Sequence, residues 1–182
     1  MIVVIKRGGL LLLAMIMIVA FLIFSLRKTV PAISINPNTI IVDAGHGDPD
    51  GGSAGKLGIL EKDLNLDVAK KLSEKLTNSG YNVIMTRTDN NGLQKNLDAS
   101  IREQKRTDLR ERIKIINESD AAMLVSIHMN HFTDSKYSGP QVFYSSNIQG
   151  SEELANAIRE GFIEVIGEHC TREIKPVKNE IY

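Results

Sequence analysis

A chain of 182 residues has room for one domain of ordinary size plus an appendage, not for two large domains. With 42% apolar and 24% charged residues it is globular rather than disordered, and its single cysteine, Cys170, excludes an internal disulfide or a cysteine-based zinc site. Basic and acidic residues balance at 22 each, but Lys6, Arg7, Arg27 and Lys28 all precede the first acidic residue, Asp43, so the remainder carries an acidic excess. A nucleic-acid partner is not expected of such a charge distribution.

The appendage comes first. Residues 8–26 carry no charge (GGLLLLAMIMIVAFLIFSL) and are flanked by basic pairs. As a helix this stretch would be roughly 28 Å long, close to the ~30 Å hydrocarbon core of a bilayer. It predicts a transmembrane helix over 8–26, within a membrane anchor or uncleaved signal at 1–28. The rest would then lie on the extracytoplasmic side of the cytoplasmic membrane. Ala32-Ile33-Ser34 has the small-x-small form of a cleavage site, but two positive charges separate it from the apolar run. A linker, 29–38, follows with Pro31 and Pro37, and the globular domain is expected over 39–182.

Within that domain strands and helices alternate. Thr39 to Val42 is a short β-branched run and reads as a buried strand. Six glycines between Asp43 and Leu60 mark a loop that bends sharply or approaches something closely. Glu61 to Ser79 reads as a helix with Leu64, Val68, Leu72 and Leu76 inward and Gly80 closing it. Tyr81 to Thr86 is a second strand, and Thr88 to Gln104 a polar loop. A helix from Thr107 to Glu118 would turn Leu109, Ile113 and Ile116 inward. Ala121 to Ile127 reads as a third, fully buried strand and Gln141 to Ser145 as a fourth. Ser151 would cap a last helix to Glu168, with Leu154, Ile158, Phe162 and Val165 as its apolar stripe; nothing obvious follows Thr171. The order predicts an α/β fold, a mostly parallel sheet with helices on both faces.

In such a sheet, sites gather at the carboxyl ends of the strands. His46 follows the first strand and His128 the third, while Glu61 opens the helix that starts at the same edge. Two histidines and a glutamate are a common catalytic zinc set, with water in the fourth position. Asp43 is placed to accept the second ring proton of a histidine. The spacing of these residues matches no compact metal motif. A histidine after a strand is commonly a loop residue, and a helix-opening glutamate commonly just complements the helix dipole. His131 is an alternative to His128. Arg87 and Arg112 could pair with Asp89 or with a substrate carboxylate, and Cys170 reads as a structural thiol.

Ile41 to Gly47 (IVDAGHG), then Gly51-Gly52 and Glu61, resemble the opening motif of the zinc-dependent N-acetylmuramoyl-L-alanine amidases, the amidase-3 family. Met85-Thr86-Arg87, Leu109 with Arg112 and Asn117, and Ser126 to Asn130 (SIHMN) are similar to its later motifs, in the same order. SIHMNHF is most similar to the germination-specific branch. The resemblance covers 39–182. It implies zinc as cofactor, His46, Glu61 and His128 as its ligands, and peptidoglycan as partner and substrate. The reaction implied is hydrolysis of the amide between N-acetylmuramic acid and L-alanine; in the germination-specific branch this prepares the muramic δ-lactam of spore cortex. The family's catalytic glutamate, on a late Val-Glu-x-Gly-Phe strand, has no counterpart up to Tyr182. The sequence therefore predicts a domain lacking its last strand and helix, its general base lying beyond Tyr182. The competing readings are a zinc carboxypeptidase on stem peptides and an inactive peptidoglycan-binding protein. The zinc reading further expects the three ligands within one ion's reach, the two imidazoles less than about 8 Å apart, and His131 pointing elsewhere.

Overall fold

The computed structural model describes Met15, Met17 and residues 35–55, 57–129 and 139–177. It divides into two compact units, 1–129 and 130–182.

The first unit is built on β1 (Asn36–Ala44), flanked by β2 (Asn82–Met85) and β3 (Ala121–Ile127) in the order β2-β1-β3, all parallel. β1 begins inside the expected linker. Its residues alternate between two covered faces, as befits the central strand of a parallel sheet. Ile40, Val42 and Ala44 enter a core with Leu66 and Ala69 of α1 (Glu61–Asn78). Thr39, Ile41 and Asp43 face the other way and are also buried.

α1 starts without a side-chain cap, its first turn carrying Glu61 and Asp63 against the dipole. It ends in a Schellman turn: Tyr81 N–H donates to Leu76 O, Gly80 N–H donates to Thr77 O, and Gly80 takes φ +89°. The helix is rotated from the expected leucine stripe. Leu72 and Leu76 do pack on the core, but Leu64 and Val68 are exposed. The buried line instead runs through Lys62, Asn65, Leu66 and Ala69. The reason is polar: Asn65, wholly buried, donates to Gly45 O and ties the helix to the end of β1.

α2 (Ile101–Glu118) starts within the expected loop. Ser100 caps it by accepting from Glu103 N–H, the first half of a capping box. Leu109 is exposed rather than inward, and the residues buried on this helix are Gln104 and Arg112. Edge strand β3 is only partly covered, with Leu124 exposed, against the expectation of full burial.

In the second unit, β4 (Phe143–Ser145) does not extend the main sheet. It pairs in parallel with β5 (Lys175–Val177), a strand absent from the sequence reading. α3 (Ser151–Ile166) has Gly150, not Ser151, at its N-cap; the Ser151 hydroxyl donates to Ser145 O and Ile148 O. Ala155 is buried, whereas Phe162, Ile163 and Val165 are exposed, as is Phe143 on β4. Cys170 is a free, buried thiol.

The transmembrane helix expected over 8–26 requires correction. Among the described residues no helix is long and apolar enough to cross a membrane. The two 18-residue helices, α1 and α2, carry charges along their whole length. Apart from Met15 and Met17, the segment 8–26 lies outside the described residues. The membrane as a partner, the signal-anchor and the membrane-bound extracytoplasmic location fall with that helix.

Candidate metal centre

Three parallel strand ends and the start of α1 meet at one edge, and β1 runs into the glycine loop there. His46 takes φ +63°, a left-handed conformation rare outside glycine. Two contacts hold it. Its carbonyl accepts from Arg112 Nη2 at 2.5 Å, and its ring Nδ1 lies 2.9 Å from Asp50 Oδ2. Asp50 returns to the ring because Gly47 and Asp50 exchange backbone hydrogen bonds in a tight reversal.

Glu61 is buried at the base of the site, 6% exposed. Its Oε2 accepts from both the backbone N–H and the hydroxyl of Ser53, at 2.9 and 2.8 Å. Its Oε1 lies 3.2 Å from His46 Nε2 and 3.2 Å from His128 Nδ1, and accepts from Met129 N–H at 3.0 Å. Burial alone would raise the Glu61 pKa; the Ser53 and Met129 donors, with His46 beside it, outweigh burial and hold it at about 2. Glu61 is thus an anion at neutral pH. Asp50 is likewise held at about 2, against burial, by Lys105, His46 and Gly52 N–H.

The rings of His46 and His128 stand edge to face with centroids 4.9 Å apart, well inside the 8 Å limit. One ligand atom from each of His46, Glu61 and His128 lies within 4.8 Å of the others. This is the metal cluster found among the described residues. His131 lies outside them.

The donor set fits a zinc ion. Asp50 can only accept, so with a cation at the centre His46 would donate its Nδ1 proton to Asp50 and turn its Nε2 lone pair to the ion. The cradle is shaped by glycines: a Cβ at Gly45 would overlap the His128 ring, and one at Gly52 would come within 2.8 Å of Glu61 Cβ and of His46 Cδ2. The His128 side chain is 43% exposed, so the centre opens on that side. Zinc with two histidines and one carboxylate leaves a fourth position free.

Asp43 does not take the place expected for it on a histidine ring; that place is taken by Asp50. Asp43 instead accepts from Thr86, Ser126 and Arg112, at 2.7, 2.6 and 2.6 Å. Its pKa is lowered: burial raises it, but Arg112 and the two hydroxyls prevail. Arg112 also donates to Ala44 O and pairs with Asp108, while Arg87 donates to Ala44 O, Gly45 O and Lys62 O. These two buried arginines are structural, binding the backbone that carries His46. Neither Asp50 nor Ser53 was singled out from the sequence. The signal for Asp50 was its i+4 spacing from His46 across glycine and proline.

The N-acetylmuramoyl-L-alanine amidase model, Amidase_3, matches residues 40–181, and the chain belongs to that family. Among its relatives, the germination-specific N-acetylmuramoyl-L-alanine amidase of Bacillus subtilis is 36% identical over 146 residues, 80% of this chain and 61% of that protein. The amidase LytC of the same organism is 32% identical over 123 residues, 66% of this chain and 22% of LytC. The chain therefore spans less than two thirds of the length of these relatives. Among solved structures, the CwlD amidase of Clostridioides difficile, in complex with the GerS lipoprotein, is 42% identical with a TM-score of 0.74. The match covers 78% of this chain and 73% of CwlD.

Proposed function

We propose that this chain is a zinc-dependent amidase that hydrolyses the bond between N-acetylmuramic acid and L-alanine in peptidoglycan, with His46, Glu61 and His128 as its metal ligands. The observation that carries the reading is the convergence of those three side chains at one edge of the parallel sheet, in a chain that belongs to the amidase family. Bound there, zinc would supply Lewis acidity, polarising an amide carbonyl and acidifying a water at its free position. The protein's part is to hold an anionic Glu61 and a lone pair on His46 Nε2 toward one point. The exposed flank at His128 admits a bulky polymeric substrate. The finer assignment, removal of stem peptides on the way to the muramic δ-lactam of spore cortex, is supported by the similarity to the germination-specific relative.

Metal binding and hydrolysis are tested separately. Equilibrium dialysis should give one zinc per chain, lost in Glu61→Gln and His46→Ala. Digestion of purified peptidoglycan, followed by end-group analysis, should release new N-terminal L-alanine. Release of the stem's terminal D-amino acid instead would make the chain a carboxypeptidase. Zinc binding without either product would leave a peptidoglycan-binding protein.

A further inference from the structure

The glycine loop does more than leave room for the ligands. It places a carboxylate on one of them and a hydroxyl on another, each on the side away from the common centre. Asp50 Oδ2 sits 2.9 Å from His46 Nδ1, and Ser53 gives both its N–H and its hydroxyl to Glu61 Oε2. Asp50 is itself anchored: its Oδ1 pairs with Lys105 of α2 at 2.8 Å and accepts from Gly52 N–H at 3.2 Å.

Chemistry gives these contacts a direction. Without an acceptor on Nδ1, His46 could carry its single proton on either nitrogen, and half the purpose of the ring would be lost in one tautomer. Without donors on Oε2, Glu61 could turn either oxygen, or both, to the ion. With Ser53 in place, Oε2 is engaged twice and Oε1 alone faces the two histidines. The Ser53 hydroxyl does this on top of the backbone N–H of the same residue. A serine at this position therefore adds a bond that an alanine would not.

We propose that Asp50 and Ser53 are positioning residues of the metal centre: Asp50 fixes the tautomer of His46 so that Nε2 binds the ion, and Ser53 confines Glu61 to binding through Oε1. The inference rests on the zinc reading above. It assigns neither residue a contact with substrate.

The test uses the full chain as wild type, Asp50→Ala, Asp50→Asn, Ser53→Ala and, as a control on an exposed ion pair, Lys71→Ala. Zinc affinity is measured by competition with a chromophoric chelator, and the cobalt-substituted proteins are compared by their visible ligand-field spectra. Loss of such an outer hydrogen bond typically weakens metal binding roughly 10–100-fold. Asp50→Ala should fall in that range. Asp50→Asn, which keeps an acceptor oxygen, should recover part of the loss. Ser53→Ala should fall at the weaker end, because its N–H remains, and its cobalt spectrum should shift as Glu61 changes its mode of binding. Lys71→Ala should match wild type. Urea unfolding of the metal-free proteins separates positioning from structure: a merely structural residue lowers the midpoint and leaves the affinity of the folded protein unchanged. If wild type binds zinc while Asp50→Ala and Ser53→Ala bind it equally well with unaltered cobalt spectra, the inference is overturned. If Asp50→Ala does not fold, Ser53→Ala, which loses one hydroxyl, decides. A wild type that binds no zinc overturns the zinc reading and this inference with it.

Discussion

Arg112→Met is the substitution whose cost the structure defines most fully. The Arg112 side chain is 6% exposed and pairs with Asp43, itself 10% exposed, at 2.6 Å. Methionine keeps much of the stem's volume and removes the charge. Asp43 would be left with only the Thr86 and Ser126 hydroxyls, and the His46 carbonyl would lose its Arg112 donor. The Ala44 carbonyl would still receive Arg87 Nε. Breaking one side of a buried ion pair costs about 3–5 kcal/mol, most of it the stranded charge. For a chain of this size that corresponds to a fall in Tm of roughly 6–20 °C. The chain has no tryptophan, so urea and thermal unfolding are best followed by far-UV circular dichroism. Asp43→Asn/Arg112→Met supplies the decisive comparison. With the stranded charge removed, the double variant should be less destabilised than the sum of the singles, by about 0.5–3 kcal/mol. If Arg112→Met unfolds within about 1 kcal/mol of wild type, or the two changes add, Asp43 is not held by Arg112 as described.

Gly45→Ala should abolish zinc binding while leaving most of the secondary structure, because the new methyl would occupy the place of the His128 ring; chelator competition on the folded variant checks this. Acid should destabilise the metal-free protein in a defined window. Glu61 and Asp50 have folded pKa values depressed to about 2 from 4.5 and 3.8, so their contribution is present above those ordinary values and is lost as pH falls from there toward 2. Urea midpoints between pH 6 and pH 2.5 measure it, and Glu61→Gln should flatten the curve.

The convergence of His46, Glu61 and His128 was readable because it depends only on strand order: two parallel strand ends and one helix start must share an edge. The partners of those ligands were not readable for a different reason. Asp43 is adjacent to the motif in sequence, but its side chain lies on the sheet face opposite Val42 and Ala44, where the buried Arg112 meets it. Asp50 reaches His46 only because the chain doubles back between them. The rotation of α1 had the same kind of cause. Leu64 and Val68 fit a leucine repeat, yet a buried asparagine bonded to Gly45 O sets the face, and hydrophobic periodicity carries no record of a polar anchor. Ser100 and Glu103 carry a helix-start pattern that the reading of a loop to Gln104 passed over; α2 begins at Ile101, six residues before the expected Thr107. β5 is centred on Pro176, a residue that argues against a strand except at an edge, which is where it sits.

The order of the strands along the chain has a consequence for how the protein is made. β1 leads, yet both of its neighbours come later: Asp43 meets Thr86 from 43 residues on and Ser126 from 83 residues on. At about 5–20 residues per second, the interval between synthesis of β1 and of its β3 partner is roughly 4–17 s. The first partner of the Ile40–Val42 run, β2, follows after roughly 2–9 s, and its second side stays open until β3 arrives. Such long-range parallel pairing also slows folding, since loop closure must come before its reward. The nascent chain thus holds the strand that ends up most buried unpartnered for seconds, and its yield in a cell should depend on chaperone supply and translation speed more than on the stability of the finished fold.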